Sequence, residues 1–235
     1  MENKYGSFVS GDPMRNFLHY PSVMAELGDL RGKHILDVGC GSGLFDRILA
    51  QQGASVLAYD GSAKFIAEAK HVELNHPQGI QFIQAEASQF RTAELCDDAV
   101  SVLVLPYIDN EAKLGQTFAT TARALKERGR FVSAVINPDF KAFGEVIANR
   151  RFTLVGEGRV QVEFLDPKTL ERSLDVVELS QFSREAYEDA ALGNGFGTAD
   201  WKALHPTEAG IEQLGFDFWE QIRAEQPYAI LVVAK

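Results

Sequence analysis

The sequence predicts a doubly wound α/β fold built on a mostly parallel sheet of seven strands. Three observations carry that prediction. From His34 to Ile136, short apolar segments alternate with segments of helical spacing. The fourth of the apolar segments, Ala99–Leu105, is apolar enough to be buried on both faces, as the strands of parallel sheets are. A glycine-rich turn, Gly39-Cys40-Gly41-Ser42-Gly43, follows the first strand and opens a helix.

In chain order, Pro13 to Leu27 has apolar positions at helical spacing (Phe17, Val23, Met24, Leu27), interrupted by Pro21, and reads as one or two helices. His34–Val38 is a strand, Gly43–Gln52 a helix that Gly53 ends, and Ser55–Tyr59 the second strand. Ala63–Asn75 is a helix broken by Asn75-His76-Pro77, and Ile80–Gln84 is the third strand. Ala99–Leu105 is the fourth, Asp109–Lys126 a helix and Arg130–Ile136 the fifth strand. After Asn137-Pro138 the rhythm changes. Phe140–Asn149 is predicted helical, Phe152–Leu165 a hairpin turning at Gly156-Glu157-Gly158, and Leu174–Leu179 a strand. Ser183–Leu192 is a helix, and Thr198–Leu204 and Tyr228–Ala234 complete the sheet. The reading is a single domain over residues 1–235, with N-terminal cap helices over about 1–30 and an insertion over about 138–180.

Composition narrows the function. The 235 residues carry a net charge of -10, which disfavours nucleic acid as a partner. No apolar run reaches transmembrane length, and MENKYGSFVSGD has no signal-peptide core. Two cysteines far apart, Cys40 and Cys96, give no disulfide framework, so a cytoplasmic protein is expected. No Cys/His cluster has zinc spacing, and no metal is expected.

The glycine turn admits several ligands. A dinucleotide fingerprint places its third glycine where Leu44 stands. Asp37 ends the first strand. Asp60 ends the second, where a carboxylate can take both ribose hydroxyls; its plainer reading is a helix N-terminal acid, since Ser62 and a helix follow. Glu86 follows the third strand, where it can accept from an adenine amine or stand as a solvated loop acid.

Together these residues resemble the class I S-adenosylmethionine-dependent methyltransferases, a Rossmann-like family. Asp37-Val38-Gly39-Cys40-Gly41-Ser42-Gly43 is similar to that family's first motif, Asp60 to its ribose-binding acid, Glu86-Ala87 to its adenine pair, and Cys96-Asp97 through Val104-Leu105 to its fourth-strand motif. The resemblance implies S-adenosylmethionine as cofactor, with S-adenosylhomocysteine as product. It implies roles residue by residue. Gly39, Cys40 and Gly41 lie against the methionine part, which Asp37 helps to position. Asp60 takes the ribose, Gly61 and Ser62 back the adenosine, and Glu86 with the Ala87 backbone takes the adenine edge. Val102 and Leu103 offer carbonyls to the ammonium group. Tyr5, paired with Phe8, closes over the cofactor. The tail, HPTEAGIEQLGFDFWEQIRAEQPYAILVVAK, and the early KYGSF further resemble a branch of small-molecule methyltransferases near the toxoflavin-type N-methyltransferases. Trp219 in that tail is expected to be a core anchor.

The expected reaction is therefore methyl transfer to nitrogen or oxygen of a small, planar heteroaromatic metabolite, by a monomer or homodimer. A nicotinamide-dependent oxidoreductase, disfavoured by Leu44 and Glu86, and a non-catalytic cofactor-binding module are the alternatives. Tyr20, Tyr107, Asn137 and Trp201 are the expected acceptor contacts. No His sits in a catalytic motif, and Tyr107 and His19 are expected at most to position the acceptor.

Overall fold

The computed structural model describes residues 11–172 and 176–235. Its first element is shaped by one proline. Pro21 has no amide hydrogen, so the carbonyl of Phe17 lacks a helical donor. The chain winds one π-helical turn over Arg15–His19 and continues directly as an α-helix, Tyr20–Leu27 (α1), with Pro21 in its first turn. The freed Phe17 carbonyl accepts instead from the Thr207 amide at 2.9 Å, near the other end of the chain.

The main layer follows as β1 (His34–Val38), α2 (Leu44–Gln51), β2 (Ser55–Asp60), α3 (Ala63–Asn75), β3 (Gln81–Gln84), β4 (Cys96–Val102), α4 (Glu111–Ala124) and β5 (Leu125–Ile136). The insertion contributes β6 (Val146–Ile147), β7 (Arg150–Gly156), β8 (Arg159–Phe164) and β9 (Val177–Ser180). The chain closes with α5 (Arg184–Leu192), β10 (Thr198–Lys202), α6 (Glu208–Leu214), α7 (Phe216–Glu225) and β11 (Tyr228–Ala234). The strand predicted to run to Leu105 stops at Val102, and Leu105–Tyr107 is a short 3-10 turn.

The large sheet has seven strands in the order β3-β2-β1-β4-β5-β11-β10. β1, β2, β3, β4 and β5 are parallel, while β11 runs antiparallel between β5 and β10. Both faces are covered, which is why β1 reads as unbroken apolar sequence: Leu36 and Val38 pack with Phe118 and Phe131 on one side, Ile35 with Phe45, Val56 and Val132 on the other. Helix starts obey their caps. Ser62, Asn110, Ser183 and Thr207 each accept a backbone amide from the first turn that follows.

The insertion folds as a second, antiparallel sheet of order β6-β7-β8-β9. The predicted helix over Phe140–Asn149 does not form. Its apolar residues do sit at helical spacing, but Gly144 takes φ +91 and donates its amide to Phe152 at 2.7 Å, and Ala148 turns left-handed at φ 56. The segment is thus a pair of turns around a two-residue strand, and Phe140 and Ile147 bury in a core shared with Met14, Leu18, Phe152 and Trp219. Trp219 is the expected anchor, 3% exposed, with its indole N–H donating to Gly210 at 2.7 Å. Gly210 has no room for a side chain there: a Cβ would stand 2.6 Å from Phe17. The sequence Gly-Ile-Glu…Phe-Trp in the tail is therefore a packing motif. Behind it, Arg150 and Asp12 form a buried ion pair at 2.6 Å that joins β7 to the N-terminal segment.

Candidate active site

β1 lies between β2 and β4, so the winding of the sheet reverses beside it, and the crevice at such a switch point is where open α/β sheets bind ligands. A cleft of about 580 Å³ opens there. The glycine turn forms its floor. Gly39, Gly41 and Gly43 all have positive φ (81, 56 and 82), which residues with a Cβ adopt at a cost. The amides of Gly39 and Cys40 both donate to the Tyr59 carbonyl, at 2.8 and 3.0 Å. Gly39 is also sterically obligatory, since a Cβ would meet Val104 at 2.4 Å.

Asp60 fixes the turn from the neighbouring strand. One carboxylate oxygen accepts the Gly41 amide at 2.9 Å and the other the Ser62 amide at 2.8 Å. Each oxygen keeps a lone pair, and the carboxylate lines the cleft. Glu86 lines it from beyond β3, with its carboxylate where a Cβ on Gly61 would approach to 2.9 Å. Arg15 and Tyr20 reach the cleft from the N-terminal helix, where Tyr20 stacks on Phe45 at 4.6 Å. The far wall is Val102, Leu103 and Val104 with Tyr107, Ile108 and Val177, the last from the edge strand of the second sheet. Ser180 anchors that edge by donating its hydroxyl to the Ile108 carbonyl at 2.6 Å.

This cleft is lined by the carboxylates of Asp60 and Glu86 and by the Val102–Val104 segment, and it has no side chain at Gly39 and Gly61. That set of acceptors fits a cationic adenosyl ligand. It suits a pyrophosphate less well, because the Asp60 carboxylate already takes the Gly41 amide, one of the turn's anion-binding donors. Residues 36–133 match the family model for a methyltransferase domain. The fold is that of the class I methyltransferases.

Other comparisons agree with that fold. A 151-residue stretch is 29% identical to the ubiquinone biosynthesis O-methyltransferase of Coxiella burnetii, taking in 60% of this chain and 61% of that protein. The chain therefore spans about three fifths of the length of that relative. The S-adenosylmethionine-dependent methyltransferase of Mesorhizobium loti superposes with a TM-score of 0.67 at 23% identity, over 97% of this chain and 100% of that one. The Burkholderia thailandensis 1,6-didemethyltoxoflavin-N1-methyltransferase, solved with 1,6-didemethyltoxoflavin and S-adenosylhomocysteine, superposes with a TM-score of 0.59 at 18% identity, over 98% and 82%.

The cleft gathers Gly39, Cys40, Gly41, Asp60, Gly61, Glu86, Ala87, Val102, Leu103, Tyr20 and Tyr107 along its walls. Ser62 backs it as a helix cap, and Asp37 lies beneath it, 3% exposed. Tyr5 and Phe8 lie outside the described residues. Three expected residues stand elsewhere. Trp201 packs on the outer flank, its indole N–H donating to Glu188 at 2.9 Å and its ring under Arg184 and against Tyr187. Asn137 is spent on structure: its amide donates to Gln226 at 2.8 Å and its side-chain oxygen accepts from Asp139 at 3.0 Å. His19 is buried behind the wall, edge-on to Tyr228 at 4.4 Å, with both ring nitrogens unpartnered. Burial, then the charges of Arg15 and Arg150, hold its imidazole neutral.

Sequence reading missed Arg15, Phe65, Ser88, Lys113, Thr117 and Val177, all of which line the cleft. Pro21 was the available signal for Arg15, because the π-turn it imposes sets which side chains of the N-terminal helix share a face. Among the described residues, none lining the cleft is a histidine, and no group of three or more His, Cys, Asp or Glu could hold a metal. No helix among them is long and apolar enough to cross a membrane.

Proposed function

We propose that this protein transfers a methyl group from S-adenosylmethionine to a nitrogen or oxygen of a small, planar heteroaromatic metabolite. The observation that carries the reading is the Asp60 carboxylate, which locks the glycine turn at Gly41 while keeping lone pairs toward the cleft. When bound, the cofactor supplies an electrophilic methyl group on a sulfonium with a neutral thioether as leaving group. The protein's part is to bind, orient and keep the site dry. Asp60 accepts the ribose hydroxyls. Glu86 and the Ala87 backbone take the adenine edge, and Gly61 leaves room for it. Arg15 is the counter-charge for the cofactor carboxylate, and the carbonyls of Val102 and Leu103 accept from its ammonium.

The acceptor lies between Tyr20, Tyr107, Ile108 and Val177. These offer flat and apolar contact with a few hydroxyls, which suits a planar ring. With no histidine on the wall, the acceptor is one whose N–H or enol O–H is acidic enough to ionise without a strong base. The names of the ubiquinone and toxoflavin relatives, one an O- and one an N-methyltransferase, both support small cyclic acceptors. The test is incubation with methyl-labelled S-adenosylmethionine and a panel of azapteridines, catechols and aminosugars, read by mass spectrometry. Label entering a planar ring compound is the expected result. Label entering only an aminosugar, or binding of a nicotinamide cofactor in place of S-adenosylhomocysteine, overturns the reading.

A further inference from the structure

Asp46 stands in the first turn of α2, and the glycine turn delivers it under β1. Its side chain is 0% exposed, and among the described residues no donor beyond its own backbone amide and the Asp37 carboxyl reaches its oxygens. It meets the equally buried carboxyl of Asp37, a contact that becomes a hydrogen bond once one of the two carries a proton. The other groups facing the pair bring little positive charge. Asp60 and the Tyr59 hydroxyl approach from β2, the Cys40 thiol from the turn, and Tyr20, hydrogen-bonded to Arg15, from the N-terminal helix. Arg47, the cation on α2, is spent on Glu73 at 3.0 Å and the Ala69 carbonyl at 3.1 Å. Two buried carboxylates in contact cannot both ionise without a counter-cation. Burial accordingly pushes Asp37 well above the usual carboxylate range and Asp46 up to about 7.

We propose that Asp46 is a second carboxyl of the cofactor site: it shares one hydrogen with Asp37 in the free protein, and the pair gives that proton to solvent when the ammonium end of the cofactor settles above the turn. The incoming cation then lies above two carboxylates buried beneath the turn, neither of which lines the cleft, and its charge is balanced by the pair. This rests on the reading of the cleft as the S-adenosylmethionine site. Asp46 does not touch the reacting atoms; it is a positioning residue that sets the charge state of Asp37. Cofactor affinity is therefore coupled to pH. Below the titration of the pair, binding must expel a proton against the gradient, so affinity rises with pH until the pair is already ionised.

Calorimetry with S-adenosylhomocysteine in phosphate and in Tris at pH 7 measures the protons exchanged. The expected result is release of a fraction of a proton, up to one. The dissociation constant should fall by up to about tenfold per pH unit between pH 6 and 7. With 5′-methylthioadenosine, which keeps the nucleoside but lacks the amino-acid end, no proton should be released. Asp46→Asn, whose amide donates to an ionised Asp37, should bind S-adenosylhomocysteine without release and more tightly than the wild type at pH 6. If Asp46→Asn does not fold, Asp46→Ser serves the same comparison. Binding of S-adenosylhomocysteine to the wild type with no proton released, or equal release by wild type and variant, overturns the role of Asp46 and leaves the cofactor site standing. Failure of both adenosyl ligands to bind removes the cofactor reading itself.

Discussion

The Asp60 carboxylate accepts the Gly41 amide hydrogen at 2.9 Å, so an acid at the end of one strand fixes the turn that follows its neighbour. On the proposed reading, Asp60→Ala removes a ligand contact and loosens the floor of the cleft. The expected loss is about 1–3 kcal/mol in the binding of S-adenosylhomocysteine, the usual cost of leaving buried polar partners unpaired. Calorimetry on a variant with an unaltered circular dichroism spectrum checks it. An unchanged dissociation constant would remove Asp60 from the site.

Gly39→Ala should be worse for the fold than for any single contact. The new methyl would stand 2.4 Å from Val104 on a backbone at φ +81. We expect a loss of at least about 1–3 kcal/mol in unfolding free energy from the strained conformation alone, read by denaturant titration. Adding Val104→Ala should recover the steric part and leave the conformational part. Full recovery would show that φ at this position carries no cost.

The glycine turn and the acid that fixes it were legible because their geometry is local. Asp37 to Gly43 and Asp60 are set by strand ends and one turn, and the alternation of strands and helices fixed which ends are adjacent. What was not legible depends on partners distant in sequence. Phe140, Phe143, Val146 and Ile147 have the spacing of a helix face, but the surface awaiting them is built by Met14, Phe152 and Trp219, and Gly144 bends the chain to meet it. Trp201 looked free to stack on a ring because nothing in its own strand showed that Glu188 and Arg184 would claim it.

Those two placements of aromatic residues separate in function. Tyr107, 54% exposed at the mouth of the cleft, should matter for the acceptor. Tyr107→Ala is expected to bind S-adenosylhomocysteine within about threefold of wild type, a difference under ~1 kcal/mol, while single-turnover methyl transfer falls by at least about tenfold, since misorientation of about 1 Å costs on the order of 100-fold. Trp201→Ala should lower the melting temperature and leave both quantities unchanged. Loss of turnover in Trp201→Ala with normal Tyr107→Ala would reverse the assignment.

The Asp37–Asp46 pair also has a signature in stability. Its folded-state pKa values lie above the unfolded value of 3.8, so the folded chain holds more protons across the window from about 4 to 7. Stability from these groups is present below that window and is lost as pH rises through it. Asp46→Asn should therefore raise the melting temperature of the free protein at pH 8 by at least about 2 °C, the shift that about 1 kcal/mol gives in a chain of this size. At pH 5 the gain should be smaller. Equal shifts at both pH values would show that the pair carries no proton linkage.

His19 has the opposite sign. Its folded-state pKa lies well below 6.5, so the unfolded chain takes up a proton that the folded chain refuses, and stability falls as pH drops below 6.5. His19→Phe keeps the edge contact with Tyr228 and should flatten that acid limb in melting curves from pH 7 to 5. The pH profile of turnover should keep its shape. A lost acid limb in that profile would return His19 to the reaction.

The hydrogen bond from Thr207 to the Phe17 carbonyl has a consequence for how the molecule is made. The π-turn that brings Arg15 to the cleft is completed by a donor about 190 residues later in the chain. During synthesis the glycine turn and its strands emerge early and pair with near neighbours, whereas the front wall must wait for the last fifth of the chain. A chain lacking the segment around Thr207 would thus hold the floor of the cleft without its gatepost, and the ability to retain an adenosyl ligand would mark the docking of that segment and not merely the folding of the sheet.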